Sequence, residues 1–420
     1  MPEASIHEDG NFQPTEHDVR TAWQLRVNAV ASQTFRPDSS PKTQFRFRVA
    51  RSDLGHVEGP GGSVVDVHTS TDGRRSCSRK TFRYTEVVPT VFEICAGAGG
   101  QAIGLEAAGF ECVAAVELDR HACETLRLNR PEWNVIEADV RTVEGSPYRG
   151  VDLLAGGVPC PPFSIAGKQL GSNDERDLFP EAIRLTEELK PRAVMLENVP
   201  GFASEKFREY RRGLFAKLRR LGYLADFRIL NASDFGVPQL RPRCIIVALR
   251  PEDAAYFRWP EAGRTDAPTV GETLRDLMAG NGWLGVAKWT KKACGIAPTV
   301  VGGSKKHGGP DLGPTRARAQ WAQLGVDGLG IADAPPERDL PSDTMPKLTV
   351  RMVARIQGFP DAWRIAGRKT AAYRQIGNAF PPPVAEAVAT AVLRALERVY
   401  ETPRDHEQMR IFDRDSAASF

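Results

Sequence analysis

The stretch VVPTVFEICAGAGGQAIGLEAAGFECVAAVE, residues 87–117, decides the fold. VVPTVFEI is a short apolar run typical of a buried strand, CAGAGG is prone to turn, and QAIGLEAAGF follows as a helix. CVAAVE is a second apolar strand that ends at Glu117. A strand, a glycine-rich turn, a helix and a second strand in this order predict the first unit of a parallel sheet covered by helices.

Strands and helices keep alternating beyond this unit. Helices are predicted over His121–Asn129 and Phe179–Leu189, and strands over WNVIEA (133–138), VDLLAGG (151–157) and RAVMLENV (192–199). LADFRILNA and CIIVALR then flank a loop with proline and arginine, as in an antiparallel hairpin at a sheet edge. The predicted fold class is therefore α/β, with a Rossmann-like, mostly parallel sheet and an antiparallel edge hairpin.

Composition divides the chain into five segments. Residues 1–85 form a flexible N-terminal extension, and residues 86–250 form the sheet domain. Residues 251–345 form a small loop-rich domain, residues 346–400 return to the sheet domain, and residues 401–420 are a polar tail. The extension has one candidate helix, Glu16–Ala31. Glycine, proline, lysine and tryptophan interrupt every apolar run of the small domain. The returning segment is predicted to form helices over Thr349–Gln357 and Ala372–Arg398.

The bulk composition argues against several classes of protein. The 420 residues carry a net charge of +3, so a nucleic-acid partner has to be recognised in local basic patches. The seven cysteines are odd in number and none form a CxxC pair, which argues against a disulfide framework or a zinc site. Neither a signal peptide nor a run of about 18 apolar residues is present. We expect a protein of a reducing compartment, with no metal and no membrane contact.

Glycines and acids at strand ends predict a ligand site. Gly97, Gly99 and Gly100 follow the first strand, where a backbone without side chains can approach a ligand closely. Glu117, at the end of the second strand, is placed to accept hydrogen bonds from ribose hydroxyls, and Asp139 from an adenine amino group. Such a turn is often only a turn. The spacing differs from GxGxxG, which favours an adenosine ligand without phosphates over a dinucleotide.

Cys160 is the candidate nucleophile. It lies in GGVPCPPFSIAGKQ, residues 156–169, directly after the fourth strand. Pro159, Pro161 and Pro162 restrict the backbone around this one thiol. A cysteine is more often a small buried apolar residue, but a rigid loop at the carboxyl edge of a sheet favours a reactive group.

Two further candidate residues or motifs, Glu197 and QLRPR, are predicted near the same carboxyl edge of the sheet. Glu197 closes the fifth strand, beside the strand that leads to Cys160, where a partly buried carboxyl can hold a proton near neutral pH. In QLRPR, residues 239–243, alternation points Arg241 and Arg243 to one face, where they could bind a phosphate or a base carbonyl. Alone, each of these residues would be an ordinary capping or solvated group.

Taken in order, FEICAGAGGQAIGLE, VELDRHACETLRLN, EADV, GGVPCPPFS, ENV, QLRPR, RMVARIQGFPDAW and QIGNAFPPPVAEAV resemble the motif series of the DNA cytosine-5 methyltransferases. The resemblance covers roughly residues 88–250 and 346–398. PCPPFS, ENV and QxRxR in this order are highly specific. The resemblance implies a Rossmann-like methyltransferase domain, with residues 251–345 as its target-recognition domain.

The resemblance also implies a role for each catalytic residue. The thiolate of Cys160 would add to carbon 6 of cytosine while Glu197 protonates or hydrogen-bonds ring nitrogen 3, which makes carbon 5 nucleophilic. Arg243 would bind the exocyclic carbonyl of the base, and Arg241 would support the site. Because the reacting atoms lie within a duplex stack, the cytosine has to be flipped out.

The implied methyl donor is S-adenosylmethionine, with S-adenosylhomocysteine as product and no metal. Its expected binding residues are Cys95, Gly97, Gly99, Gly100, Glu117, Leu118, Asp139, Val140, Pro159 and Asn378. Three positions depart from the family pattern. Pro161 replaces a glutamine after the catalytic cysteine, Cys95 replaces a phenylalanine that stacks on adenine, and Leu118 replaces an aromatic residue beside the ribose-binding acid.

A basic, glycine-rich segment between Lys288 and Arg318 occupies the position of the target-recognition region. It carries seven cations and a single acid, Asp311. Such clusters are often only solvated faces, but this position favours contact with phosphates and with base edges in the major groove. The predicted DNA-binding residues are Ser164, Gln169, Gln239, Lys291, Lys292, Lys305, Lys306, Arg316 and Arg318.

Three alternatives stay open at this point: an RNA (tRNA) cytosine-5 methyltransferase, a non-catalytic DNA-binding protein with this fold, and a dehydrogenase. The Lys- and Gly-rich segment favours duplex DNA, and the presence of Cys160, Glu197 and both arginines argues against a non-catalytic protein. The proline-framed cysteine and the missing phosphate-binding fingerprint argue against a dehydrogenase. Under the favoured interpretation we expect a monomer in a bacterial cytoplasm, associated with the nucleoid. A cognate restriction endonuclease that acts separately is a further expected partner.

Overall fold

The computed structural model describes residues 88–159, 177–263, 266–303 and 310–399, together with the backbone of three short strands nearer the N-terminus. These strands are β1 (His56–Glu58), β2 (Val64–Asp66) and β3 (Arg83–Tyr84), and they form an antiparallel sheet in the order β1-β2-β3. The sequence had predicted no strand there. The candidate helix Glu16–Ala31 and the tail 401–420 lie outside the described residues.

The main body, which starts at Val88, is built on a seven-stranded sheet in the order β6-β5-β4-β7-β8-β10-β9. The strands are β4 (Thr90–Ile94), β5 (Glu111–Glu117), β6 (Val135–Glu137), β7 (Leu153–Gly157), β8 (Ala193–Asn198), β9 (Leu224–Asn231) and β10 (Pro242–Leu249). The first five of these pair in parallel, and β10 is antiparallel to both β8 and β9. The predicted parallel sheet with an antiparallel hairpin at its edge is confirmed.

Helices cover both faces of this sheet. The α-helices of the described residues are α1 (Gly100–Ala107), α2 (Arg120–Asn129), α3 (Phe179–Leu189), α4 (Arg208–Arg220), α5 (Pro251–Ala254), α6 (Val270–Met278), α7 (Val286–Lys292), α8 (Thr315–Gln323), α9 (Val350–Ile356), α10 (Lys369–Asn378) and α11 (Pro382–Leu396). One face packs on α1 and α11, with Leu105 and Val384 in its core. The other packs on α3 and α4, with Phe179 and Leu214 in its core.

The prediction of one continuous helix over Ala372–Arg398 is wrong. The chain forms two helices, since α10 ends at Asn378 and α11 begins at Pro382. Pro381, Pro382 and Pro383 have no backbone N–H to donate, so they cannot continue a helix but are favoured in the first turn of a new one. This break places Ala379 and Phe380 in a tight connection against the glycine-rich turn.

Residues 251–345 contain four short helices, α5 to α8, joined by long loops. Thr269 begins α6 with a capping box, in which its side chain accepts from the Glu272 N–H and the Glu272 carboxylate accepts from the Thr269 N–H. Apolar side chains of this region, among them Trp283, Trp289 and Trp321, share one core with α9 and α10. That this region acts as a separate recognition domain stays a prediction.

Candidate active site

The glycine-rich turn after β4 is held in a left-handed backbone. Cys95, Gly97 and Gly99 have φ angles of 53°, 56° and 84°. A Cβ atom at Gly100 would lie 2.3 Å from the Phe380 carbonyl oxygen, so the underside of the turn is closed. A Cβ at Gly97 would meet nothing within 4 Å. The turn is therefore open to a ligand on the Gly97 side and rigidly supported beneath.

Glu117, at the end of β5, faces this turn. Its Oε2 accepts from the Gly97 N–H at 2.8 Å, and its Oε1 accepts from the N–H groups of Leu118 and Asp119 at 2.9 and 2.7 Å. Three backbone donors thus orient the carboxylate, and Oε2 keeps one lone pair for a further donor. The open space at Gly97 and this oriented acid fit the ribose of an adenosine ligand.

Four other predicted cofactor residues, Leu118, Asp139, Val140 and Cys95, differ in exposure and in their hydrogen-bond partners. The Leu118 side chain is 65% exposed, so an apolar surface is available beside the acid. Both Asp139 carboxylate oxygens accept from Arg141, one from its N–H and one from its guanidinium, while Val140 is buried. Burial raises the pKa of the Cys95 thiol to about 12, helped by nearby acids, so this cysteine stays protonated and unreactive.

Glu93 is a buried acid of β4 that sequence analysis did not single out. Neither carboxylate oxygen has a hydrogen-bond partner among the described groups. Burial, with a smaller contribution from Glu117, raises the pKa of Glu93 to about 8. The folded chain therefore binds one proton more than the unfolded chain between about pH 4.5 and about pH 8.

This extra proton predicts how stability depends on pH. Because the folded pKa lies above the unfolded one, the contribution of Glu93 to the free energy of unfolding decreases as pH rises through that window. We expect Glu93→Gln to reduce the loss of stability between about pH 6 and about pH 8 by roughly 2 kcal/mol. Urea unfolding at both pH values measures it. Parallel pH dependences for the variant and the wild type would contradict the assignment.

Trp363, in the GFPDAW segment, supports the turn from a position 265 residues away in sequence. Its indole N–H donates to the Ala98 carbonyl at 2.9 Å in a buried contact. Its ring lies so close to Gly99 that a Cβ there would be 2.8 Å from Trp363 Cζ2. The Arg130 guanidinium lies over the rings of both Trp133 and Trp363. Trp363 is thus a positioning residue for the backbone of the turn.

Trp363→Phe keeps the aromatic ring but removes the N–H donor. We expect the affinity for S-adenosylhomocysteine to fall roughly tenfold, because the freed Ala98 carbonyl is buried and loosens the turn. Calorimetric titration measures the dissociation constant. Trp133→Phe is the matched control, since Trp133 contacts the same arginine, and its affinity should stay at the wild-type value. Equal losses in both variants would point to general destabilisation instead.

Glu197 and Arg243 form an ion pair where β8 and β10 meet. The Arg243 Nε donates to Glu197 Oε1 at 2.8 Å, and each side chain is only 12% exposed. Burial raises the pKa of Glu197 even though the charges of Arg243 and Arg241 oppose it. Burial likewise lowers the pKa of Arg243, opposed by Glu197. A mostly buried carboxyl with a raised pKa is suited to hold a proton for a substrate.

The strand that leads to the predicted nucleophile runs beside this pair. Gly157 of β7 is in register with Glu197, and its Cβ position lies 3.4 Å from Glu197 Oε2. The Asn198 side-chain amide donates to the Val158 carbonyl at 2.8 Å, which ties β8 to the start of the loop. The exposed Pro159 follows, and Cys160 is one peptide bond further on. Cys160, Ser164, Gln169, Lys305 and Lys306 lie outside the described residues.

The prediction that Arg241 faces a ligand together with Arg243 needs correction. Arg241 is 1% exposed. Its guanidinium donates to the carbonyls of Val300, Gly377 and Ala379 at 2.6, 2.9 and 2.9 Å. A buried guanidinium whose two terminal nitrogens bind three backbone oxygens cannot reach a substrate, so Arg241 is a positioning residue.

The prediction that Gln239 contacts DNA is wrong. Gln239 is fully buried, its Oε1 accepts from the Val300 N–H at 2.8 Å, and its Nε2 donates to Gln357 Oε1 at 2.6 Å. Sequence analysis missed this because the partners lie 61 and 118 residues further along the chain. A glutamine two residues before an arginine in a loop carries no local signal of burial.

The other predicted residues lie where a ligand could reach them. Asn378 is exposed at the end of α10 and donates to the Gly303 carbonyl at 3.3 Å. Lys291 and Lys292 are exposed on the last turn of α7, and Arg316 is exposed and Arg318 half-buried on α8. Contact of these side chains with cofactor or DNA stays a prediction.

Comparison with known proteins identifies the family. The family model described as C-5 cytosine-specific DNA methylase matches residues 90–394. The chain belongs to this family. It is 59% identical over 310 residues to the Type II methyltransferase M.NaeI of Lentzea aerocolonigenes, which covers 73% of this chain and 75% of that protein. It is 55% identical over 313 residues to the Type II methyltransferase M.NgoMIV of Neisseria gonorrhoeae, which covers 74% and 98%.

A solved structure of DNMT2 from Spodoptera frugiperda is similar in fold, with a TM-score of 0.52, 20% identity, and coverage of 73% of this chain and 99% of that one. The family model and the Type II relatives confirm the resemblance found in the sequence, and the chain is a C-5 cytosine DNA methyltransferase. No helix in the described ranges is long and apolar enough to cross a membrane. Within the same ranges, no cluster of three or more His, Cys, Asp or Glu side chains is placed to hold a metal ion.

Proposed function

We propose that this C-5 cytosine DNA methyltransferase flips a cytosine out of a short, specific duplex sequence and methylates it through a covalent Cys160 adduct, with S-adenosylmethionine as methyl donor. The observation that carries the proposal is the Glu197–Arg243 ion pair, mostly buried beside the strand that leads to Cys160. An acid and a cation at one sheet edge, next to a proline-framed cysteine, match the needs of activating a pyrimidine ring.

Each of these residues has one task in the proposed reaction. The Cys160 thiolate forms a bond to carbon 6, and the electron pair of the 5,6 bond moves toward carbon 5. Glu197 supplies a proton or hydrogen bond to ring nitrogen 3, and its raised pKa favours the protonated form. Arg243 donates to the exocyclic carbonyl while it stays beside Glu197. After methyl transfer, the carbon 5 proton is lost to solvent, its bonding electron pair re-forms the 5,6 double bond and expels the Cys160 thiolate, and ring nitrogen 3 returns its proton to Glu197.

S-adenosylmethionine, when bound, supplies an electrophilic sulfonium methyl group. The chain would hold its ribose at Glu117 and its adenosine beside the open Gly97 turn and the exposed Leu118 side chain. Asp139 and Val140 would line the adenine side, and Pro159 and Asn378 the side that faces the base. Cys95, which stays protonated, takes the place of a stacking aromatic ring and offers a smaller contact.

Duplex DNA would contact the exposed cations of residues 288–318. Lys291 and Lys292 on α7 and Arg316 on α8 are exposed, and none has a salt bridge among the described residues. Free cations of this kind hold phosphates or reach base edges. Lys305, Lys306, Ser164 and Gln169 are proposed to complete the interface.

The proposed biological role follows from the relatives named Type II methyltransferases. We propose that the methyl mark protects a short DNA sequence from a cognate restriction endonuclease that acts separately. The enzyme would work as a monomer, in a bacterial cytoplasm and at the nucleoid.

The deciding experiment incubates the protein with tritiated S-adenosylmethionine and either duplex DNA or tRNA, followed by bisulfite sequencing of the labelled product. Methyl transfer to one short DNA motif is the expected result and defines the recognition sequence. Label in RNA alone would overturn the proposed substrate. No transfer to either, with S-adenosylhomocysteine bound, would overturn catalysis and favour a DNA-binding role.

A further inference from the structure

Residues 297–303, here called the crossing segment, lie beside the loop Gln239–Arg243. The Ala297 N–H donates to the Pro238 carbonyl at 3.0 Å, and the Leu240 N–H donates to the Ala297 carbonyl at 2.8 Å. The Thr299 hydroxyl donates to the Leu240 carbonyl at 2.5 Å. The crossing segment therefore pairs like a short strand with the loop that carries Arg243.

Two buried side chains of that loop hold one residue of the crossing segment from both sides. The Val300 N–H donates to Gln239 Oε1 at 2.8 Å, and the Val300 carbonyl accepts from the Arg241 guanidinium at 2.6 Å. Both backbone groups of Val300 are thus satisfied by residues two positions apart. A shift of Val300 along the chain would remove one of the three acceptors of the buried Arg241 guanidinium and separate the Val300 N–H from Gln239 Oε1, which is costly.

Gln239 and Arg241 also connect the loop to the ends of α9 and α10. Gln239 Nε2 donates to Gln357 Oε1 at 2.6 Å, and Gln357 Nε2 donates to the Ile376 carbonyl at 2.7 Å. Gln357 is also fully buried. Arg241 extends in parallel to the carbonyls of Gly377 and Ala379. The loop, the crossing segment and the end of α10 thus share one connected polar network.

The backbones of the crossing segment and of the end of α10 are closely packed. A Cβ on Gly377 would lie 2.4 Å from Gly302 Cα, and a Cβ on Gly302 would lie 2.5 Å from the Arg374 carbonyl oxygen. The crossing segment and the end of α10 therefore touch backbone to backbone. Lys305 and Lys306, which are predicted to contact DNA, follow Gly303 in the chain after one residue, Ser304.

We infer that Gln239, Gln357 and Arg241 are positioning residues that lock the crossing segment, which leads to the predicted DNA-contacting Lys305 and Lys306, in register with Arg243 and Glu197, and so make the rate of methyl transfer depend on the DNA sequence. The inference rests on the proposed function. Arg241 binds the crossing segment, and Arg243 lies two residues further along the same loop. A displacement of the crossing segment is therefore transmitted to the Glu197–Arg243 ion pair. A misplacement of about 1 Å can lower a rate about 100-fold.

The test compares kcat/KM on the recognition sequence with kcat/KM on sites that differ by one base pair. Gln357→Ala removes the acceptor of the short Gln239 Nε2 bond and one of the two donors to the Ile376 carbonyl, so Gln239 Nε2 keeps only the Ile356 carbonyl at 3.4 Å. We expect kcat/KM on the recognition sequence to fall about tenfold and the ratio between correct and altered sites to fall by a similar factor. Gln239→Ala should lower kcat/KM and the ratio between sites by similar factors. In the double variant both quantities should be little lower than in either single variant, because the two amides act as one unit.

Gln375→Ala is the matched control. Gln375 is buried in the same helix as Ile376, but its side chain bonds Thr125, Ala366 and Ala371 and does not reach the crossing segment. Its loss should lower the melting temperature without changing the ratio between sites. Thr299→Val is a milder second variant, for use if Gln357→Ala protein does not fold. Thr299 is half-buried, and the change removes only its hydrogen bond to the Leu240 carbonyl, so the fold should stay intact.

The outcomes separate the two proposals. A lower ratio in Gln357→Ala or Thr299→Val, with an unchanged ratio in Gln375→Ala, supports the register lock. Wild-type ratios in every folded variant overturn it while the proposed function stands. An equal fall in the ratio for Gln375→Ala also overturns it, because general loosening would then be the cause. Wild-type protein that methylates no DNA overturns both.

Discussion

Cys160→Ser protein is expected to lose methyl transfer to DNA by about 10⁴-fold or more, with S-adenosylhomocysteine affinity unchanged. A serine hydroxyl is far less ionised than a thiol near neutral pH and adds poorly to carbon 6. Without that addition, carbon 5 of cytosine is too weak a nucleophile to accept a methyl group. The glycine-rich turn and Glu117 lie on other elements, so the cofactor site keeps its contacts. Single-turnover transfer of tritium to the recognition duplex measures the loss.

Cys294→Ser is the control for this prediction. Cys294 is a free, exposed cysteine outside the proposed catalytic set, so its removal should leave the transfer rate unchanged. A duplex with 5-fluorocytosine at the target provides a second readout. Fluorine at carbon 5 cannot leave as a proton does, so the wild-type protein should stay bound through denaturing electrophoresis and the Cys160 variant should not. A serine variant that retains a tenth of the wild-type rate would refute the covalent mechanism.

Replacing Glu197 with glutamine is expected to lower kcat by about 10²–10⁴-fold. Glutamine keeps the shape and a hydrogen-bond donor but has no proton to give to ring nitrogen 3. In the proposed reaction the protonated form of Glu197 is the active one, and burial raises its pKa, so kcat/KM should fall as pH rises through that pKa. The variant should lack this alkaline fall. Steady-state rates across pH, with cofactor affinity measured alongside, test both statements.

Glu205→Gln is the matched control, because it makes the same change at an exposed carboxylate. Glu205 pairs with Arg208 on the surface, and such pairs contribute little to stability. Its rate and pH profile should equal those of the wild type. A Glu197→Gln protein within tenfold of the wild-type rate, or with an unaltered pH profile, would show that Glu197 is not the proton donor.

Local patterns were sufficient for the framework of the fold. The apolar run before the glycine-rich turn became β4, and Phe179–Leu189 is a helix with the predicted bounds. Strand ends place Glu117 and Glu197 at one edge of a parallel sheet whatever the distant contacts are. The helix α4 escaped prediction because its sequence, REYRRGLFAKLRR, is dominated by charged residues. The break between α10 and α11 was missed although three consecutive prolines mark it.

The sequence by itself determined the fold class, the family and the strands that carry the candidate catalytic residues, because periodicity and motif order are properties of neighbouring residues. Only the tertiary structure decided which polar residues are buried. Gln239 and Arg241 look like surface groups until Val300 and Gly377 close over them, and Trp363 reaches Ala98 from 265 residues away. Burial depends on segments that meet in space, and no local pattern encodes which distant carbonyl a side chain will find.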